Sequence, residues 1–359
     1  MKKNLLLSMT VMLLSTTLTI AQTKVIKRSM SKSNDYGVNY FLPKSMLEIR
    51  ISVSKTETKV GTYYKYAEKY LGIANVTIED KTFYELDEVQ VFLKAVPDKD
   101  KSYLVELKSG TTAPFVYLTE SGLICTINAE YIPEENQTPV YEKPVVATNS
   151  KLSPETLFTE EYLQAGSTAK MAEIVAKQIY KIRESRMDIL TGNADNAPRD
   201  GVAMKLVLEQ LEAQEKALME LFTGTSVKTT KTVTLEMEPE AVMEKEIIFR
   251  FSKHTGIVRT DDLSGQAVYM NLTKIETVDL IPVDTKKKNK DSDSGVFYNI
   301  PGRGEVEIFY GTNRMYKGTF DITQFGTTQV LANPIFENKK SPVKVYFYPE
   351  TGGIKKIEQ

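Results

Sequence analysis

Residues Leu47 to Ser54 alternate strictly between apolar and polar side chains. Leu47, Ile49, Ile51 and Val53 fall on one side, and Glu48, Arg50, Ser52 and Ser54 on the other. A period of two requires an extended backbone with one buried face, so this segment has to be half of a sheet interface. Val89-Gln90-Val91-Phe92-Leu93, Tyr103-Leu104-Val105-Glu106-Leu107 and Phe115-Val116-Tyr117-Leu118 extend the same text, so Tyr36 to Asn128 reads mostly as strand. Tyr63 to Gly72 breaks it. Tyr66, Ala67 and Tyr70, closed by Gly72, predict a short helix with a glycine C-cap.

Three prolines, Pro133, Pro139 and Pro144, make the stretch to Ser150 an extended linker. The period then changes. Ser153-Pro154-Glu155 has the N-cap, first-turn proline and acidic residue of a short entry helix. From Ser167, the residues Met171, Ile174, Val175, Ile179, Ile182, Ile189 and Leu190 form one helical stripe that stops at Thr191-Gly192. Asn193 to Gly201 is rich in turn formers, and Leu208, Leu211, Leu218 and Phe222 make a second stripe ending at Gly224. Strand text returns from Thr229 onward, most clearly at Ile247–Phe251, Val296–Ile300, Val306–Tyr310 and Val343–Tyr348.

With 359 residues, two domains are expected. The predicted fold is α+β and mostly β: two β-sandwich-like domains joined by a long antiparallel helical hairpin. The divisions are a signal peptide at 1–21, an N-terminal β domain with one short helix at 22–132, a proline-rich linker at 133–152, the helical segment at 153–225, and a C-terminal β domain at 226–359. Both β regions contain the same turn. It appears as Glu120-Ser121-Gly122, His254-Thr255-Gly256 and Thr351-Gly352-Gly353, each running into an aliphatic strand, and it predicts tight hairpins.

The N-terminus reads as an address. Lys2 and Lys3 precede an acid-free apolar and small-residue run from Leu5 to Ile20, and Thr19-Ile20-Ala21 suits cleavage after Ala21. Export is therefore expected, without a transmembrane segment in the mature chain.

Much chemistry is closed to this composition. His254 is the one histidine and sits beside a predicted turn, which leaves neither a serine triad nor a zinc centre with several histidines. Cys125, the one cysteine, lies in an alternating strand without a basic neighbour, as an inert thiol would. No phosphate-loop pattern occurs. Pro301-Gly302-Arg303-Gly304 reads as a strand turn rather than an anion site. Asp291-Ser292-Asp293-Ser294-Gly295 departs from calcium-loop spacing. The adjacent Lys286, Lys287, Lys288 and Lys290 form a basic cluster without aromatic residues, and the net charge of -1 offers no reason to bind nucleic acid. Asn75, Asn136 and Asn271 fit glycosylation triplets by chance. Tyr63, Tyr64, Tyr66 and Tyr70 read as packing residues. No catalytic residue stands out, and no cofactor or metal is expected. A glycosidase needs only two suitably spaced carboxylates, which 47 acidic residues leave open.

Several ordered stretches carry a resemblance. They are Tyr36-Gly37-Val38-Asn39-Tyr40-Phe41-Leu42-Pro43, Lys65-Tyr66-Ala67-Glu68-Lys69-Tyr70-Leu71-Gly72, Ile179-Tyr180-Lys181-Ile182-Arg183-Glu184-Ser185-Arg186, Phe297-Tyr298-Asn299-Ile300-Pro301-Gly302-Arg303 and Gln324-Phe325-Gly326. In this order they resemble the exported family termed domain of unknown function 4831. The resemblance implies a Gram-negative host of the Bacteroides group, in the periplasm or at the cell surface, and it implies no activity. The expected function is a non-enzymatic binding or structural module of the cell envelope, with another envelope protein or a glycan as partner. The alternative is a carbohydrate-active enzyme or a lectin-like glycan-binding protein. Oligomeric state is left open.

Overall fold

The computed structural model describes residues 24–27, 37–106, 116–133, 152–194, 200–276, 295–332 and 343–359. The proposed signal peptide, nearly all of the proline-rich linker, Lys286 to Lys290 and Asp291 to Ser294 lie outside them. In chain order the elements are β1 (Lys24–Lys27), β2 (Gly37–Lys59), α1 (Ala67–Leu71), β3 (Lys81–Glu106), β4 (Val116–Leu118), β5 (Ile124–Ile127), α2 (Glu160–Leu163), α3 (Thr168–Thr191) and α4 (Gly201–Thr223). They continue as β6 (Thr225–Met237), β7 (Met243–Ser252), β8 (Gly256–Val258), β9 (Gln266–Glu276), β10 (Gly295–Tyr310), β11 (Asn313–Ala332), β12 (Lys344–Phe347) and β13 (Ile354–Glu358).

The strands build three sheets, ordered β1-β3-β2-β6, β11-β10-β9-β7-β8 and β13-β12-β5-β4. Every pairing between these strands is antiparallel. The alternation at Leu47 to Val53 has the predicted consequence. Leu47, Ile49 and Ile51 are fully buried, and they face Phe251, Met270 and Ile308 of the second sheet. Apolar area removed from water at about 25 cal/mol per Å2 is the dominant force joining the two layers.

The longest strands serve two cores because they bend. In β2 the register shifts between Phe41 and Pro43, where Pro43 lies opposite Pro97 of β3. In β10 it shifts between Ile300 and Gly302. Proline cannot donate to the ladder and an irregular register re-aims a strand, so both mark a corner. Beyond it, Tyr40, Tyr103 and Val296 pack with Ile124, Val345 and Phe347 of the third sheet. Polar staples hold the corner. Ser45 N–H donates to Thr323 Oγ1 at 2.9 Å, Thr323 N–H donates to Ser45 Oγ at 3.1 Å, and Gln324 Nε2 donates to the Ser45 carbonyl at 2.7 Å.

A third core lies on the flank, where Ala172, Val175, Ile179, Leu218 and Phe222 pack with Tyr63 and Ala67. The α3 helix is capped by Ser167, which accepts from Lys170 N–H at 3.3 Å, and closed by Gly192 at φ 78°. Glu215 of α4 accepts from Arg183 Nε at 2.6 Å and pairs with Arg186 at 3.0 Å.

This architecture corrects the expected one. The mostly-β character stands, but there are not two β-sandwich-like domains joined by a long helical hairpin. Strand β6 follows α4 and pairs with β2 from Leu47↔Met237 to Lys59↔Thr225. Strand β12 pairs with β5 through Val345↔Ile127. Both halves of the sequence therefore share sheets and cores, and the helices sit beside the β body rather than linking two bodies. Periodicity missed this because it specifies which face of a strand is buried, not which strand lies beside it.

Candidate binding site

Alternation in and just after β12 sends Val345 and Phe347 into the second core and turns Lys344, Tyr346 and Tyr348 the other way. On that outer side lies a cavity of about 660 Å3 between Cys125–Ile132 and the C-terminal hairpin. Tyr131, Tyr346 and Tyr348 line it together with Lys344, Lys355, Lys356, Glu130, Glu350 and Glu358. Tyr348 is 44% exposed, which distinguishes it from the core tyrosines Tyr40 and Tyr63.

The polar wall is internally paired. Tyr346 Oη donates to Glu358 Oε2 at 3.1 Å, and Lys356 forms an ion pair with the same carboxylate. The Lys356 contact, followed by that of Tyr346, lowers the Glu358 pKa below its ordinary value. Burial and then Glu358 raise that of the Tyr346 phenol. Lys355 Nζ lies 5.6 Å from the centre of the Tyr348 ring, a cation–π distance. Cys125, which also lines the cavity, is itself fully buried, and burial, more than the nearby Glu350 carboxylate, pushes its pKa up to about 11.

A thiol held protonated is a poor nucleophile. The cavity offers aromatic faces, donors and acceptors, which are the means of binding. Among the described residues, no group of three or more His, Cys, Asp or Glu side chains is placed to hold a metal. No described helix is long and apolar enough to cross a membrane.

The other candidates lie elsewhere. His254 is exposed in the turn between β7 and β8. Gly256 follows at φ 81°, and Gly122 and Gly352 take φ 83° and 70° at the other two hairpins, a conformation that costs glycine little. Pro301 to Gly304 forms no turn between strands. It lies inside β10, where a side chain at Gly302 would strike the Phe325 carbonyl of β11. Tyr63 is buried in the helical core, with Tyr66 and Tyr70 packed against it. Asn271 lies in β9 and accepts from Lys245 N–H at 2.8 Å. Asn75 lies in the segment after α1, and Asn136 is outside the described residues. The sequence marks Cys125 and the strand Val343–Tyr348 but does not bring them together as a site. The Lys344, Tyr346, Tyr348 alternation was the available signal; nothing local marks Glu130 and Tyr131.

Fold and site together define a mostly-β protein of three antiparallel sheets with a tyrosine-lined cavity of mixed charge. The chain belongs to the family described as Domain of unknown function (DUF4831), whose family model matches residues 36–355. No curated protein and no solved structure matches it. Asn299, Gly302, Gln324 and Gly326, from the stretches that carry the family resemblance, gather at the strand corner rather than at the cavity.

Proposed function

We propose that the chain is an exported binding module of the cell envelope that carries out no turnover, and that the cavity beside β12 and β13 seats its ligand. The observation that carries this reading is the Lys356–Glu358–Tyr346 chain, in which one cavity carboxylate is paired with a cation and a phenol beside the exposed Tyr348 ring. Export rests on the basic start, the apolar run and Ala21. The test incubates the purified mature chain with isolated Gram-negative cell envelopes. The expected result is co-sedimentation with the envelope and no soluble product detectable by mass spectrometry. Catalytic release of product would overturn the reading.

A second reading, a carbohydrate-active enzyme, is favoured by one feature: Glu130 and Glu350 share the cavity with the exposed Tyr348. Two carboxylates flanking a sugar are the machinery of glycoside hydrolysis. The same incubation separates the readings, since only this one yields fragments.

A further inference from the structure

We infer that the ligand of the cavity is an uncharged oligosaccharide; this rests on the reading of the cavity as a ligand seat. The volume of about 660 Å3 lies within the range of about 300–1,000 Å3 common to small-molecule sites. Its lining separates ligand classes. Three lysines and three glutamates contribute equal and opposite charge, so no excess cation awaits a phosphate and no excess carboxylate awaits an ammonium group. At Glu358 the charge is already matched internally by Lys356 and Tyr346. A lipid tail would strand these ionic groups without water, which is costly. What remains is hydrogen-bonding capacity of both kinds beside aromatic faces.

A sugar ring matches that combination. Its hydroxyl groups donate and accept, so they use carboxylates and ammonium groups together. The C–H-rich face of a pyranose presents an apolar surface to a tyrosine ring. Tyr348 is the platform, with its ring exposed and steadied by Lys355 on one side. A free zwitterionic peptide also has balanced charge, but its termini would have to displace the existing Lys356–Glu358 pairing.

The test is calorimetric titration of the full mature chain with neutral oligosaccharides, namely xylan, mannan and β-glucan hexamers, alongside oligogalacturonate and a zwitterionic tripeptide. At least one neutral hexamer is expected to bind. Tyr348→Ala should weaken it about tenfold, the scale of one lost aromatic stack, while the melting temperature is unchanged. Lys356→Gln, which leaves the aromatic surface intact, should weaken it less. Binding of the uronate or the peptide alone, no binding of any probe, or an affinity unaffected by Tyr348→Ala would overturn the inference. In each of these cases, continued co-sedimentation with envelopes without product would leave the binding-module reading in place.

Discussion

Asn299 Nδ2 donates to the carbonyl of Pro43 at 3.1 Å, joining residues 256 positions apart. The same amide group donates to the Thr351 carbonyl at 3.0 Å, and Asn299 Oδ1 accepts from Thr328 Oγ1 at 3.1 Å. One side chain, 1% exposed, thereby ties β2, β10, β11 and the C-terminal turn together at the corner where the long strands bend. Replacing it with alanine leaves the Pro43 and Thr351 carbonyls without these partners. Asn299→Ala should cost about 3 kcal/mol, read as a lower urea midpoint at unchanged slope.

At the same corner, a side chain on Gly326 would collide with the Ile300 carbonyl oxygen and with Pro301. Backbone cannot yield as a flexible side chain can, so Gly326→Ala should destabilise by about 3 kcal/mol or abolish folding. Gly166 has no neighbour within 4 Å of an added Cβ, so Gly166→Ala should stay within about 0.5 kcal/mol of the parent. Thermal melts of the two variants measure the contrast.

Stability should fall in alkali. The Cys125 pKa rises from 9.0 to about 11 on folding, because burial disfavours the thiolate. Below pH 9 the thiol is protonated in both states and contributes no pH dependence. Between about 9 and 11 the unfolded chain loses its proton first, so unfolding is favoured progressively. Tyr40 acts in the same direction at higher pH. Its buried phenol accepts from Phe297 N–H at 2.9 Å, and its pKa lies well above the ordinary value through burial. Urea midpoints from pH 7 to 10.5 should decline above pH 9, and Cys125→Ala should flatten the first part of the decline.

Buried and protonated, Cys125 should also resist alkylation. Iodoacetamide at pH 7.5 should leave the native chain unmodified and add one group after unfolding in guanidinium, as counted by intact mass. Rapid native labelling would contradict the burial of β5.

Glu215 of α4 meets Arg183 and Arg186 of α3. The arginines are about a third exposed, so the exchange for glutamine should cost only about 1 kcal/mol. The difference between Glu215→Gln and the parent should shrink at high salt, a dependence that packing loss alone would lack.

Local structure was legible because it depends on near neighbours. Alternation at Leu47–Val53 marked a half-buried strand. Ser167 and Gly192 bounded α3, and Gly122, Gly256 and Gly352 marked the tight hairpins. Pro301-Gly302 reads locally as a turn, yet glycine and proline also occur inside a strand that another strand approaches closely, and only the approach of Phe325 reveals which.

Backbone sterics and periodicity act within a few residues, so most extended and helical segments and their apolar faces could be read from the chain alone. Long-range packing places β6 beside β2 and β12 beside β5, and so brings Tyr131 to Tyr346 and Tyr348 around one cavity. Backbone hydrogen bonds between strands are the same for every sequence. The choice of partner is therefore made by how distant apolar faces and buried polar groups such as Asn299 can be satisfied at once, a condition that no local window contains.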